Sequence, residues 1–328
     1  MKNIYICHTV YHLLISIIKG IVNGEKNDIL IYKTLPNSMY FIHRMEELKI
    51  FNKIILFDCD DSEFSDMCII ANNPIRKYKD GLKRLRKKYD FTCLDDRNIY
   101  IFNDNSIVGA YLQMAKKKYR IIEDGLDCYK QIHKVHRFYF GRYVRIKKLF
   151  GLGLYSFGSS KYVQSIEIND KMGIDLPVKN KFIEVPRKEL FERLTEEQKE
   201  LILKIFLPKD DIIKEIKGNS TLVITQPLFF DKLVDSEEKQ IRIYEDIVQN
   251  YSIGKVIIKP HPRDTLNYEK YFKGCVVIKE KYIPLEILNF ISGLKIKRTV
   301  TAFSTAIQAI DYCDEKICLG MEWAVNHQ

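Results

Sequence analysis

Three short runs place reactive side chains beside backbone turns. Glu123-Asp124-Gly125 directly follows the apolar run at 119–122. A carboxylate at a strand end, followed by a glycine that lets the backbone turn, can take a proton from a hydroxyl nucleophile. Asp-Gly is equally a common turn dipeptide. Lys259-Pro260-His261-Pro262 ends the apolar run at 255–258. Two prolines restrict the backbone around His261 and deny it a helix. An imidazole fixed close to a lysine suits protonating or stabilising a departing phosphate, and a polar turn with a solvent-facing histidine reads the same way. Ser304-Thr305 follows the run at 297–301 and opens an expected helix. Hydroxyls and free N–H groups there can hold a phosphate, or simply cap the helix. Glu286, just after Pro284, stands at another expected helix start. It can accept from ribose hydroxyls or complement the helix dipole. Asp58-Cys59-Asp60 has the spacing of a metal-chelating acidic triplet, but it lies in an acidic stretch that reads better as a solvated loop.

These runs need strands and helices to bring them together. Strands are expected at 3–7, 28–32, 53–57, 98–102 and 119–123, with helices at 9–21, 38–48, 74–89 and 106–117 between them. The β-α-β-α alternation argues for a parallel sheet covered on both faces. Residues 126–180, with a basic aromatic stretch (Arg137 to Phe150) and Gly151-Leu152-Gly153, do not resolve into elements. A second alternation begins near Ser220. Strands are expected at 221–225, 255–258, 275–278, 297–301 and 317–319, with helices at 237–250, 284–291 and 304–312. The expected class is therefore α/β with two Rossmann-like domains, 1–186 and 217–328, joined by a charged helical linker at 187–216. The length of 328 residues agrees with two domains of about 150 each. Ligands in such folds sit in a cleft at the carboxyl ends of the strands, where all three runs fall.

Composition narrows the classes. No apolar run reaches the roughly 18 residues of a membrane span. The stretch from Ile4 to Ile21 is too broken, and too poor in small residues, for a signal peptide. The eight cysteines include no CxxC pair. Reduced thiols in a cytoplasmic protein are the expectation. The 53 Lys and Arg against 43 Asp and Glu leave a net charge of +10. That suits nucleic acid, anionic lipid or a phosphate-bearing substrate without choosing among them. No nucleic-acid reader motif is present. The basic runs at 76–88 and 137–148 are either solvated helix faces or peripheral contacts for an anionic membrane.

The order of the motifs resembles the bacterial sialyltransferases, which share an acidic-acidic-Gly motif, a His-Pro motif and a Ser-Ser/Thr motif. The closest likeness is to glycosyltransferase family 52, whose opening also resembles Tyr5-Ile6-Cys7-His8-Thr9-Val10-Tyr11-His12. The resemblance implies a GT-B-type architecture. It also implies inverting transfer of sialic acid from CMP-sialic acid, with no cofactor and no metal. By the same resemblance Glu123 is the general base, with Asp124 as its rival. His261 would assist departure of the CMP phosphate, Ser304 and Thr305 would hold that phosphate, and Glu286 would hold the ribose. Lys259 and Pro262 fall on the donor side, and Thr9, His12 and Gln226 are acceptor or donor contacts. The expected partners are the donor and a glycan acceptor, a terminal galactose of capsule or lipooligosaccharide. A homodimer, and peripheral attachment to the inner face of the cell membrane, would be compatible. A UDP- or GDP-sugar transferase or epimerase would share the fold. A non-catalytic basic protein bound to membrane or nucleic acid would make the turns incidental.

Overall fold

The computed structural model describes residues 2–24, 27–59, 62–72, 77–126, 128–134, 140–142, 146, 152–207, 216 and 218–326. It divides into two compact units, Met1–Thr195 and Glu196–Gln328. The division falls inside the segment expected to bridge the halves.

Unit 1 is built on seven parallel strands: β1 (Lys2–Cys7), β2 (Asp28–Tyr32), β3 (Lys53–Phe57), β4 (Arg97–Ile101), β5 (Tyr119–Ile122), β6 (Val163–Ile168) and β7 (Phe182–Glu184). Their spatial order is β3-β2-β1-β4-β5-β6-β7. The central strands are unbroken apolar runs because helices cover both sheet faces. Ile4, Tyr5, Ile6, Ile29, Leu30 and Ile31 are fully buried. The helices are α1 (Val10–Val22), α2 (Ser38–Glu47), α3 (Glu63–Ala71), α4 (Lys77–Lys88), α5 (Ile107–Met114), α6 (Cys128–Lys134) and α7 (Arg187–Glu192). Two of them start where a side-chain hydroxyl caps the first turn. Thr9 accepts from the His12 N–H and Ser106 from the Gly109 N–H. Gly109 is also a packing requirement, since a Cβ there would meet the Asp104 carbonyl oxygen at 2.3 Å. That contact seats the loop after β4 against α5.

Unit 2 repeats the plan with five parallel strands: β8 (Gly218–Ile224), β9 (Lys255–Lys259), β10 (Val276–Val277), β11 (Ile296–Thr301) and β12 (Cys313–Cys318), in the order β10-β9-β8-β11-β12. Its α-helices are α8 (Glu196–Phe206), α9 (Glu237–Tyr251), α10 (Tyr268–Tyr271) and α11 (Met321–Asn326). Val223, Ile258 and Val300 from neighbouring strands share a core with Tyr244 and Ile247 of α9.

Several expectations are corrected. The unreadable stretch 126–180 contains α6 and β6, and α3 lies in the stretch taken for an acidic loop. The helices expected at 284–291 and 304–312 are short 3-10 turns, Leu285–Phe290 and Thr305–Ala309. Of the 187–216 segment, α7 belongs to unit 1 and α8 to unit 2, and residues 208–215 lie outside those described. Most of 137–150, and Asp60 of the acidic triplet, also lie outside. Asp58 is described, and its carboxylate accepts from the Lys33 ammonium at 2.6 Å.

Candidate active site

Each sheet has one place where the strand order reverses, and each motif follows a strand at that place or next to it. In unit 1 the reversal is between β1 and β4. Loops leaving the carboxyl ends of adjacent strands part at such a point and leave a crevice. Three loops supply its polar groups: His8 and Thr9 after β1, Asn103 and Asp104 after β4, and Glu123 and Asp124 after β5.

The two acids of the Glu-Asp-Gly run have opposite surroundings. Glu123 is 1 % exposed. Its Oε1 accepts the Tyr129 N–H at 3.3 Å and its Oε2 the Asn169 N–H at 2.7 Å. It ties the end of β5 to the start of α6 and the loop after β6. Asp124 is 38 % exposed at its side chain. Its Oδ1 is bonded to His12 Nε2, and the Asn103 amide donates to Oδ2 at 3.4 Å. Asp124 lines a pocket of about 410 Å³ with Phe102, Asn103, Cys128, Tyr129 and Phe157. That volume lies within the range of about 300–1,000 Å³ usual for small-molecule sites. The base expected at Glu123 is therefore not presented to a ligand, and the outward carboxylate of the motif is Asp124.

Behind Asp124 lies an imidazole pair. His12 is 1 % exposed. Its ring stacks on Phe102 with centroids 4.1 Å apart. His12 Nδ1 accepts the His8 backbone N–H at 3.2 Å. The His8 ring lies tilted against Tyr32 with centroids 3.7 Å apart, and burial, with His12 adding, pushes its pKa down to about 3. Below the pocket, burial raises Asp104 to about 6 against the opposing pull of the Gly158 and Phe157 N–H groups that it accepts at 3.1 and 2.7 Å. Asp104 pins the loop after β4 to the turn at 157–158.

In unit 2 the reversal is between β8 and β11. The His-Pro turn follows β9, the strand next to β8. The His261 N–H donates to Thr225 Oγ1 at 3.0 Å, and His261 Nδ1 accepts the Arg263 N–H at 3.2 Å. The remaining ring nitrogen, Nε2, thus carries the proton of the neutral ring. Burial, together with Arg263 and Lys259, lowers the His261 pKa to about 4. Asp264 anchors the turn from below. Its carboxylate accepts from Tyr268 at 2.7 Å and from Gln240 at 3.0 Å, and its N–H donates to the His261 carbonyl at 2.9 Å. Arg263 makes a two-pronged pair with Asp231 at 2.7 and 3.0 Å and lies over Phe230.

The other donor-side residues divide into presented and inward groups. Ser304 is buried, with its N–H on Thr301 Oγ1 at 3.1 Å and its Oγ accepting from Ala306 at 3.4 Å. Thr305 and Pro262 are exposed. Lys259 turns inward, its ammonium donating to the Pro260 and Lys281 carbonyls at 3.1 and 2.5 Å. Burial lowers its pKa to about 7. Glu286 is buried in the field of Lys259, and burial raises its pKa. Gln226 is half-buried, its backbone held by the Tyr244 hydroxyl.

A family model for glycosyltransferase family 52 matches residues 60–321. The chain belongs to glycosyltransferase family 52. All three motifs lie inside the matched range, whereas His8, Thr9 and His12 lie before it. An uncharacterized protein of Haemophilus influenzae is 30 % identical over 217 residues, which is 66 % of this chain and 66 % of that relative. The match thus spans just under two thirds of the relative's length. Among solved structures, this family 52 chain is similar to a Methanocaldococcus jannaschii UDP-GlcNAc 2-epimerase. The identity is 13 % and the TM-score 0.49, over 100 % of this chain and 91 % of that one. It is also similar to the spinosyn forosaminyltransferase SpnP at 12 % identity and TM-score 0.43, over 94 % and 76 %.

Of the first-half contacts expected in this family 52 protein, the structure brings His12 to Asp124 and spends the Thr9 hydroxyl on capping α1. Sequence reasoning missed Asn103, Asp104, Arg263 and Asp264. A usable signal existed for all four. Asn103-Asp104-Asn105-Ser106 is a polar cluster directly after a strand, and Arg263-Asp264 adjoins the His-Pro turn.

Proposed function

We propose that this protein transfers sialic acid from CMP-sialic acid to a hydroxyl of a terminal sugar, a galactose of a surface glycan, with inversion and without a metal. The observation that carries the reading is the outward carboxylate of Asp124, held at the strand-order reversal of unit 1. In this reading the acceptor oxygen attacks the anomeric carbon as its proton passes to Asp124. The bond from that carbon to the phosphate oxygen breaks, and its electron pair leaves with CMP. The transition state is oxocarbenium-like, so charge grows on the phosphate, which needs hydrogen-bond donors. His261 suits that task as a neutral Nε2–H donor, and the exposed Thr305 hydroxyl beside it in function supplies another. The inward ammonium of Lys259 supports the turn that presents His261.

The reading also has the acceptor carried at a membrane surface. Its support is the outward face of α4. Arg84 and Lys88 pair with Asp66 and Glu63 of α3. Lys79, Lys83 and Lys87 are exposed at helical spacing and pair with no acid among the described residues. No helix among the described residues is long and apolar enough to cross a membrane. Such a face would meet anionic headgroups by charge alone.

The test is a transfer assay with CMP-sialic acid and a galactosyl acceptor in EDTA. Turnover by the wild type and loss by D124N and H261A support the reading. Near-normal turnover by D124N removes Asp124 from the chemistry.

A further inference from the structure

A histidine that is 1 % exposed, in a chain with only seven, needs a reason. The stacking on Phe102 would be served equally by a phenylalanine. What a phenylalanine cannot do is use both edges of the ring. His12 Nδ1 accepts the His8 backbone N–H, so the ring nitrogen that bears the proton is Nε2, and Nε2 meets Asp124 Oδ1. The ring is fixed from the other side as well. The His12 N–H donates to Thr9 Oγ1 at 3.2 Å, so the cap of α1 sets where its third residue stands. The loop after β1 is thereby coupled to the loop after β5, 112 residues later in the chain.

We propose that His12 is a positioning residue for the transfer reaction. Its Nε2–H holds Oδ1 of Asp124 and leaves Oδ2, which the Asn103 amide meets only at 3.4 Å, as the oxygen that receives the acceptor's proton. The inference rests on the reading of Asp124 as general base. A carboxylate free to rotate in a 410 Å³ pocket would offer either oxygen in many orientations. One held by a buried, singly protonated imidazole offers one oxygen in one orientation, and misplacement of a reacting group by about 1 Å can cost about 100-fold in rate.

The experiment compares kcat and KM for wild type, D124N, H12F, H12N and H12Q in CMP-sialic acid turnover, with melting curves for each. H12F keeps the stack and removes the donor. H12N keeps an acceptor for the His8 N–H, but its amide is too short to reach Asp124. H12Q can place an amide N–H near the imidazole Nε2 position. The expected result is a fall in kcat of roughly 100-fold in H12F and H12N, with both KM values within about twofold, and recovery to within about tenfold of wild type in H12Q. If H12F fails to fold, H12N against H12Q decides. Wild-type kcat in H12N, or equal losses in H12N and H12Q, overturns the role of His12. Near-normal turnover by D124N instead overturns the reading of Asp124 as base, whatever the His12 variants do.

Discussion

The adjacent acids at 123 and 124 have opposite surroundings, Glu123 buried and Asp124 facing outward. Glu123 is a buried acceptor for two backbone N–H groups, so Glu123→Gln sets an amide NH2 against one of them. The expected loss is about 1–3 kcal/mol of stability, seen as a lower melting temperature, with kcat changed far less than by D124N. Asp124→Asn is expected to do the reverse: an unchanged melting curve and a kcat reduced by about 100-fold or more. Turnover and melting temperature measured on both variants check this directly. The histidines add a pH dependence. His8 has a folded pKa of about 3, below its ordinary value of about 6.5. Its contribution is therefore fully present above pH 6.5 and is lost as pH falls toward 3. By pH 5 about 2 kcal/mol is gone, at about 1.4 kcal/mol for each pH unit below 6.5. Urea unfolding at pH 7 and pH 5 should show that loss in the wild type and a smaller one in H8F, which keeps a ring against Tyr32.

At the scale of elements, α4 is the segment whose surface asks for a partner. Removing two of its charges in K83A/K87A should weaken binding to vesicles of anionic lipid by roughly 30-fold, at about 1 kcal/mol per basic side chain near such a surface. Equal binding by wild type and variant would free α4 of that role, and preference for RNA over vesicles would move it to another. Elements also explain what could be read in advance. The strands β1, β2, β4, β5 and β9 are legible because burial demands apolar residues in succession, and short apolar runs are there, whereas β11, Ile-Lys-Arg-Thr-Val-Thr, is marked by its β-branched residues instead. β6 is not legible, because Gln164, Ser165 and Glu167 interrupt its pattern, and Glu167 is in the fold to pair with Lys19 at 2.7 Å. The starts at Pro284 and Ser304 were legible, but a proline or serine that opens an α-helix opens a 3-10 turn equally well. The pitch depends on what packs behind. The Glu-Asp-Gly motif could be found by eye. Which acid faces out could not, because that is decided by the N–H groups of Tyr129 and Asn169, in a stretch that could not be read. The partnership of His12 with Asp124 was hidden by distance along the chain.

The whole molecule joins two Rossmann-like units in one chain of a glycosyltransferase family, with the outward carboxylate of Asp124 after β5 in the first and the turns that carry His261 and Ser304-Thr305 after β9 and β11 in the second. If the second unit holds CMP, the nucleotide should stabilise the full chain by about 2.7 kcal/mol at a concentration of 100 times Kd. H261A should need more CMP for the same rise in melting temperature. The claim on which everything else depends is the donor. It is tested most directly by following release of the nucleotide from CMP-sialic acid, UDP-sugars and GDP-sugars in EDTA, with a galactosyl acceptor and with wild type and D124N in parallel. The account requires acceptor-dependent release of CMP by the wild type and its loss in D124N. Release of UDP or GDP in place of CMP would contradict it.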